Sequence, residues 1–284
     1  MKLDLKLKET LDELYESYTE DFRTAGSDFF LKRPDPIQFP HRYATFHDRE
    51  AAAFLAATFA YGNVKSLCGF VDRLLTLLGP SPHAFLKQGP KAVAALAPHR
   101  PYYRLHKTAE ILWVLSALAR VYQNHDSLYA VFLKTYDGDS TMKQSVSRFV
   151  AALRGMVPGD LRFLIPSPED GSPCKRLNLF FRWMVRRGSV DFGLWKEVPP
   201  SLLIVPLDTH IGRVAYRLGW IGTPSLSWQK AETVTSVLRR YDPDDPTRYD
   251  FALCHESIQR SAWLQGVLTG KTQRRKETKQ LSSW

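Results

Sequence analysis

Cysteine is scarce: the chain has three, Cys68, Cys174 and Cys254, too far apart to build a disulfide framework or a clustered set of metal ligands. That usage fits a reducing interior. Long apolar runs are missing too, since no stretch approaches the roughly 20 residues of a membrane span. The N-terminal MKLDLKLKETLDELYESY alternates charge with apolar residues and lacks the apolar core of a signal peptide. The expected setting is therefore the cytoplasm, away from membranes. Acidic residues are in deficit, 29 against 39 Lys and Arg, for a net charge of +10. This excess suits a polyanionic partner such as nucleic acid, although solvated surface charge would read the same way. Part of it is terminal: between Thr269 and Trp284 five cations face Glu277 alone, a net +4. That tail is expected to be flexible, following a helical domain over residues 1–268.

Period-two alternation is equally scarce, whereas apolar spacings of three and four recur, so the chain reads as all-α. Leu7, Leu11, Leu14 and Tyr18 mark one stripe of a first helix. Residues 28–47, rich in proline and aromatics, read as a loop, with Asp48 as the cap of a helix reaching Phe59. Further helices are expected over 64–78, 107–122, 127–135, 141–156, 208–218, 229–240 and 249–260. Residues 157–174 carry four prolines and cannot continue a helix. A new helix then starts at Lys175, with Leu177, Phe180, Phe181 and Met184 on one side and Lys175, Arg182 and Arg186 on a basic other side. Those arginines suit phosphate contacts or plain solvation.

The sharpest local pattern is Val205-Pro206-Leu207-Asp208-Thr209-His210-Ile211-Gly212-Arg213-Val214. By itself it describes a well-capped amphipathic helix. An aspartate at a helix N-terminus is also kept ionised by the backbone N–H groups and the helix dipole, so it can stabilise a cation that develops nearby.

These residues resemble the helix-hairpin-helix superfamily of base-excision DNA glycosylases. Asp208-Thr209-His210-Ile211-x-Arg213-Val214 is similar to the aspartate-bearing helix start of its endonuclease III branch. Gly171-Ser172-Pro173-Cys174-Lys175 resembles the Gly-x-Gly-x-Lys turn that supplies the amine nucleophile, with Pro173 where the second glycine is usual. The 33-residue separation of Lys175 and Asp208 is similar to that in archaeal 8-oxoguanine glycosylases with an atypical hairpin. Asp242-Pro243 and Asp250-Phe251-Ala252-Leu253 resemble the C-terminal helix with which that branch binds an extruded base. Cys254 stands where an aromatic residue is expected. DPIQFPHRY, AAFLAATFAYGNV, KRLNLFFRWMV and PLDTH also resemble a bacterial family of uncharacterised proteins assigned to the superfamily, and together these likenesses cover most of residues 30–260.

The resemblance implies a two-lobed, all-α glycosylase-like fold with an atypical hairpin and a central cleft. It implies a DNA-repair glycosylase and abasic-site lyase acting as a monomer, without a cofactor, on duplex DNA with a damaged base, 8-oxoguanine being favoured. Lys175 and Asp208 would be catalytic. Asp250, Asn63, Arg182, Leu179 and Cys254 would line the substrate site, and Arg186, His210 and Arg213 would meet the DNA. The chemistry calls for these types: a carboxylate stabilises the sugar cation, and a lysine attacks as a neutral amine, a form that burial favours. Without the resemblance Lys175 reads as a surface lysine, His210 as an ordinary second-turn residue and Tyr61-Gly62-Asn63 as a plain turn. No four-cysteine pattern is present, so the iron–sulfur cluster of some relatives is not expected. Two other readings stay open: a DNA-binding module of this fold that has lost excision, and a basic helical protein that binds some other ligand or protein.

Overall fold

Residues 4–259 are described by a computed structural model, and the expected basic tail at 269–284 lies outside them. Among these residues there are helices and no strand, only two isolated bridges, Tyr103 with His106 and Arg187 with Phe192. No described helix is long and apolar enough to cross a membrane.

Side-chain caps explain most of the helix starts. α1 (Leu5–Ala25) begins where the Asp4 carboxylate accepts the Leu7 N–H at 3.1 Å, and it buries Leu7, Leu11 and Tyr18 while Leu14 is partly covered. The stretch expected to be loop holds α2 (Phe29–Lys32) and two 3-10 turns, Pro36–Gln38 and Pro40–Arg42, each with a proline whose fixed φ suits its first position. α3 (Phe46–Thr58) is capped by the Thr45 hydroxyl, which accepts the Asp48 N–H at 3.2 Å, so Asp48 is not the cap it was expected to be. Its buried carboxylate accepts the Ser81 hydroxyl at 2.7 Å and the His83 N–H at 3.0 Å instead.

α4 (Val64–Leu78) starts at Asn63, whose side-chain oxygen accepts the N–H groups of Lys65 and Ser66. α5 (Pro82–Lys87) and α6 (Pro90–Ala94) lie in a stretch read as having no helix, each being too short for a repeat of apolar residues to register. α7 (Thr108–Asn124), α8 (Leu128–Leu133), α9 (Met142–Arg154), α10 (Lys175–Val185), α11 (Thr209–Arg217), α12 (Trp228–Leu238) and α13 (Asp250–Gln259) match their expected positions to within two residues.

The middle of the core is α3. Every residue from Ala51 to Ala57 is at most 1% exposed, and the small side chains let α10 pack closely, with Phe54 and Phe180 edge to face at 5.3 Å. Glu50, on the same helix and fully buried, accepts four donors: the N–H groups of Leu128 and Tyr129, the Trp195 indole N–H and the Tyr122 hydroxyl. One carboxylate thereby joins α3, α7 and the start of α8. α1 and α11 both pack on α13, and the Tyr249 hydroxyl donates to Asp12 at 2.6 Å, so the first helix packs on the C-terminal part. The starts of α10 and α11 are thus held by different partners, and they meet.

Candidate functional site

Lys175 opens α10 on a turn tied by its own hydrogen bonds. Ser167 caps the 3-10 turn Pro168–Asp170, Gly171 sits at φ +72° as only glycine does without strain, and the Ser172 hydroxyl accepts the Cys174 N–H at 3.1 Å. Cys174 is also left-handed, at φ +48°, and the Asn178 amide donates to the Pro173 carbonyl at 3.1 Å. Burial pushes the Cys174 thiol up to about 12, so it is no nucleophile; it points at the Pro166 carbonyl. Pro173 removes an N–H that a glycine would offer, and side-chain caps stabilise the turn instead.

Asp208 begins α11. Its Oδ1 accepts the N–H groups of His210 and Ile211, both at 2.9 Å, which is why this sequence starts a helix there. Its Oδ2 faces the Lys175 ammonium at 3.6 Å and receives the Cys254 thiol of α13 at 3.8 Å. The pair is neither buried nor free: the Lys175 side chain is 32% exposed and that of Asp208 14%. Burial, with the Asp208 and Asp250 carboxylates, holds the Cys254 thiol well above its ordinary range.

Other expected residues sit differently. Arg182 and Arg186 do not form an open basic face. Arg182 pairs with Asp250 at 2.5 Å and Asp191 at 3.2 Å, and Arg186 with Asp191 at 2.8 Å and Asp245 at 2.6 Å; both arginines are buried. Helical periodicity set them opposite the apolar side, but Asp191 and Asp245 close over that side. Asp250 is occupied in the same way: it is 3% exposed, and burial raises its pKa to about 6 against the pull of Arg182. It reaches the region of Asp208 without being open to it. Leu179, one turn beyond Lys175, is half-buried. His210 is half-buried in the first turn of α11, and Arg213 is exposed on that helix with no described carboxylate at ion-pairing distance.

Asn63 is occupied as the cap of α4. Near it lies a group that the sequence reading passed over. Arg176, next to Lys175, places its guanidinium 5.1 Å from the Tyr61 ring and 5.0 Å from that of Phe163, and donates to the Thr58 carbonyl at 2.9 Å and to the Phe163 carbonyl. No described carboxylate pairs with it, and burial lowers its pKa to about 10. Tyr61 and its neighbour Arg104 complete the cluster. The interleaved basic and aromatic residues of Arg100-Pro101-Tyr102-Tyr103-Arg104 were its one legible signal. Among the described residues no three His, Cys, Asp or Glu side chains are grouped to hold a metal.

A family model described as "Protein of unknown function (DUF2400)" matches residues 35–259, and the chain belongs to that family. No curated protein and no solved structure matches it.

Proposed function

We propose that this member of the DUF2400 family is a base-excision DNA glycosylase with abasic-site lyase activity, a two-lobed helix-hairpin-helix protein that removes an oxidised purine, 8-oxoguanine first among them. The observation that carries the reading is the approach of Lys175 to Asp208 at 3.6 Å, each at the first turn of a helix and both open to solvent on one side. A structural ion pair needs no such openness, and the pairs of Arg182 and Arg186 with Asp191 and of Arg182 with Asp250, at most 7% exposed, supply the contrast.

The chemistry follows from the two groups. The Lys175 ammonium first gives up a proton to water; its amine then attacks C1′ of the sugar, the C1′–N bond breaks, and the base leaves with the bonding electrons and takes up a proton. The sugar ring then opens to an imine with Lys175, and loss of the proton at C2′ expels the 3′ phosphate. Asp208 Oδ2, which the helix N–H groups leave free, offsets positive charge on the sugar as the base departs. Its Oδ1 contacts fix the carboxylate in place beforehand, so little reorganisation is needed.

Borohydride reduction tests this. The wild-type chain should give a covalent adduct with an 8-oxoguanine or abasic duplex, and Lys175→Gln should give none while still binding the DNA. Wild-type binding without any adduct would remove the lyase assignment. The burial of Asp250 against Arg182 favours a second reading, a DNA-binding module of the same fold without excision, because the residue expected to grip the base is already engaged. For that module, adduct and strand cleavage are both absent, and affinity for damaged and intact duplex is equal.

A further inference from the structure

Around Arg176, the residue after Lys175 on α10, the surface carries rings and cations that the proposed catalysis does not use. Phe163, in the proline-rich segment before α10, is 53% exposed, and Tyr102 and Leu105, in the loop between α6 and α7, are 72% and 83% exposed. Phe163 rests on the Arg176 guanidinium, with the Tyr61 ring edge-on at 5.5 Å and Arg104 over Tyr61 at 5.8 Å. An open cleft of about 530 Å³ runs along it, lined by Arg162, Phe163, Pro166, Asp170, Ser172 and Arg176.

The charges around this cluster are accounted for one by one. Asp160 pairs with Arg162 at 2.7 Å and Asp170 with Arg154 at 2.7 Å, while Glu110 shares a hydrogen bond of 2.9 Å with the His106 ring and is the one carboxylate here without a cationic partner. Arg176 and Arg104 have no described carboxylate in reach, so the cluster is cationic after internal pairing. The Arg104 guanidinium lies against the Gly62 backbone, in the space a Cβ would take there. A cation beneath an exposed ring draws electron density from it and favours offset stacking with an electron-rich heterocycle.

We infer that Phe163, on its base of Arg176, Tyr61 and Arg104, is a stacking platform for an unpaired nucleobase, with the flanking phosphates taken by Arg104 and Arg176. The inference deepens the proposed function and rests on it: the partner is a nucleic-acid strand, read next to the Lys175 site at a position where a base has left its stack. A paired duplex offers no open base face and gains only the phosphate contacts. An acidic peptide would use the cations and leave the ring idle.

The test measures binding of the full chain to three fluorescein-labelled probes at one salt concentration: a single strand, a duplex with a one-nucleotide bulge and a fully paired duplex. Stacking on one aromatic residue corresponds to a loss of about five- to hundredfold on truncation, so Phe163→Ala should weaken binding to the strand and the bulge by that factor and to the paired duplex by less than about twofold. Phe163→Trp should restore both and show tryptophan quenching on binding. Arg104→Glu should weaken all three and flatten the salt dependence. The platform is overturned if Phe163→Ala binds the strand and the bulge as well as the wild type does, or loses all three probes equally. If the wild type binds none of them, the proposed function falls as well; if it binds them and is trapped by borohydride while Phe163→Ala changes nothing, the platform alone falls.

Discussion

α10 carries ion pairs at both ends, and they differ. At its C-terminal end Arg182 and Arg186 are enclosed with Asp191 and Asp250 at 2.5 to 3.2 Å, every side chain at most 7% exposed, and Arg186 also meets the partly exposed Asp245 at 2.6 Å. At its N-terminal end Lys175 meets Asp208 at 3.6 Å with a third of its side chain open. An enclosed network loses much if one partner is removed, because the remaining charges are desolvated and uncompensated. A loose, half-open pair adds little to folding, since water competes for both groups. Charge that contributes little to stability is free to meet a substrate, and the contrast separates the part of α10 that holds the fold from the part suited to chemistry.

The largest expected effect falls on the enclosed end. Asp191→Ala removes the carboxylate shared by Arg182 and Arg186 and should destabilise the chain by about 3 to 5 kcal/mol, read from urea denaturation midpoints. A loss under about 1 kcal/mol would break the comparison. Next comes the open end: Asp208→Asn should slow excision on the order of a hundredfold in single-turnover assays, the scale of one aimed electrostatic group. Adduct formation on a preformed abasic site should persist in part, because there no base has to leave.

Third is the pH dependence of the core. Burial pushes the Glu50 carboxyl up to about 7 from an ordinary 4.5, so the folded state holds its proton more tightly than the unfolded state does. That contribution is complete below about 4.5 and is lost as pH rises through about 7, on the order of 3 kcal/mol in all. Asp250, raised to about 6, acts in the same sense, while His41 and His83, lowered by burial, act in the opposite sense below their ordinary 6.5. The readout is therefore the difference between the wild-type and Glu50→Gln stability profiles, which should shrink steadily from pH 5 to pH 7.5. A constant difference would rule the carboxyl out as its source. The smallest effect sharpens the comparison: Lys175→Gln and Asp208→Asn should each change stability by less than about 1 kcal/mol, since the pair is loose and asparagine still caps α11. Thermal unfolding of both variants measures it.

Much of this was legible beforehand because it is local. The Asp208 cap, the helix that opens at Lys175 and the proline-rich break before it follow from residue types within a few positions of one another. Where longer-range contacts decide, the structure departs from the local expectation in particular ways. Arg182 and Arg186 read as a basic face because spacing reveals which residues share a side of a helix but not what covers that side, and here Asp191, Asp245 and Asp250 do. Asp48 reads as a cap by residue type, but Thr45, three residues earlier, takes that place, and the Asp48 carboxylate accepts the Thr45 hydroxyl together with donors 33 and 35 residues away. α5 and α6 were missed because one or two turns hold too few apolar residues to show a period.

The sequence by itself determined the helical class and the starts of the longer helices, the Asp208 cap among them, since caps, prolines and apolar spacing act over a turn or two, whereas Lys175 stood out only through the family resemblance. Tertiary structure decided which charges are spent and which are available. Whether an arginine is enclosed like Arg182, stacked between rings like Arg176 or open like Arg213 depends on chain segments distant in sequence, and only packing brings the neutralising carboxylate, the ring or the solvent to it.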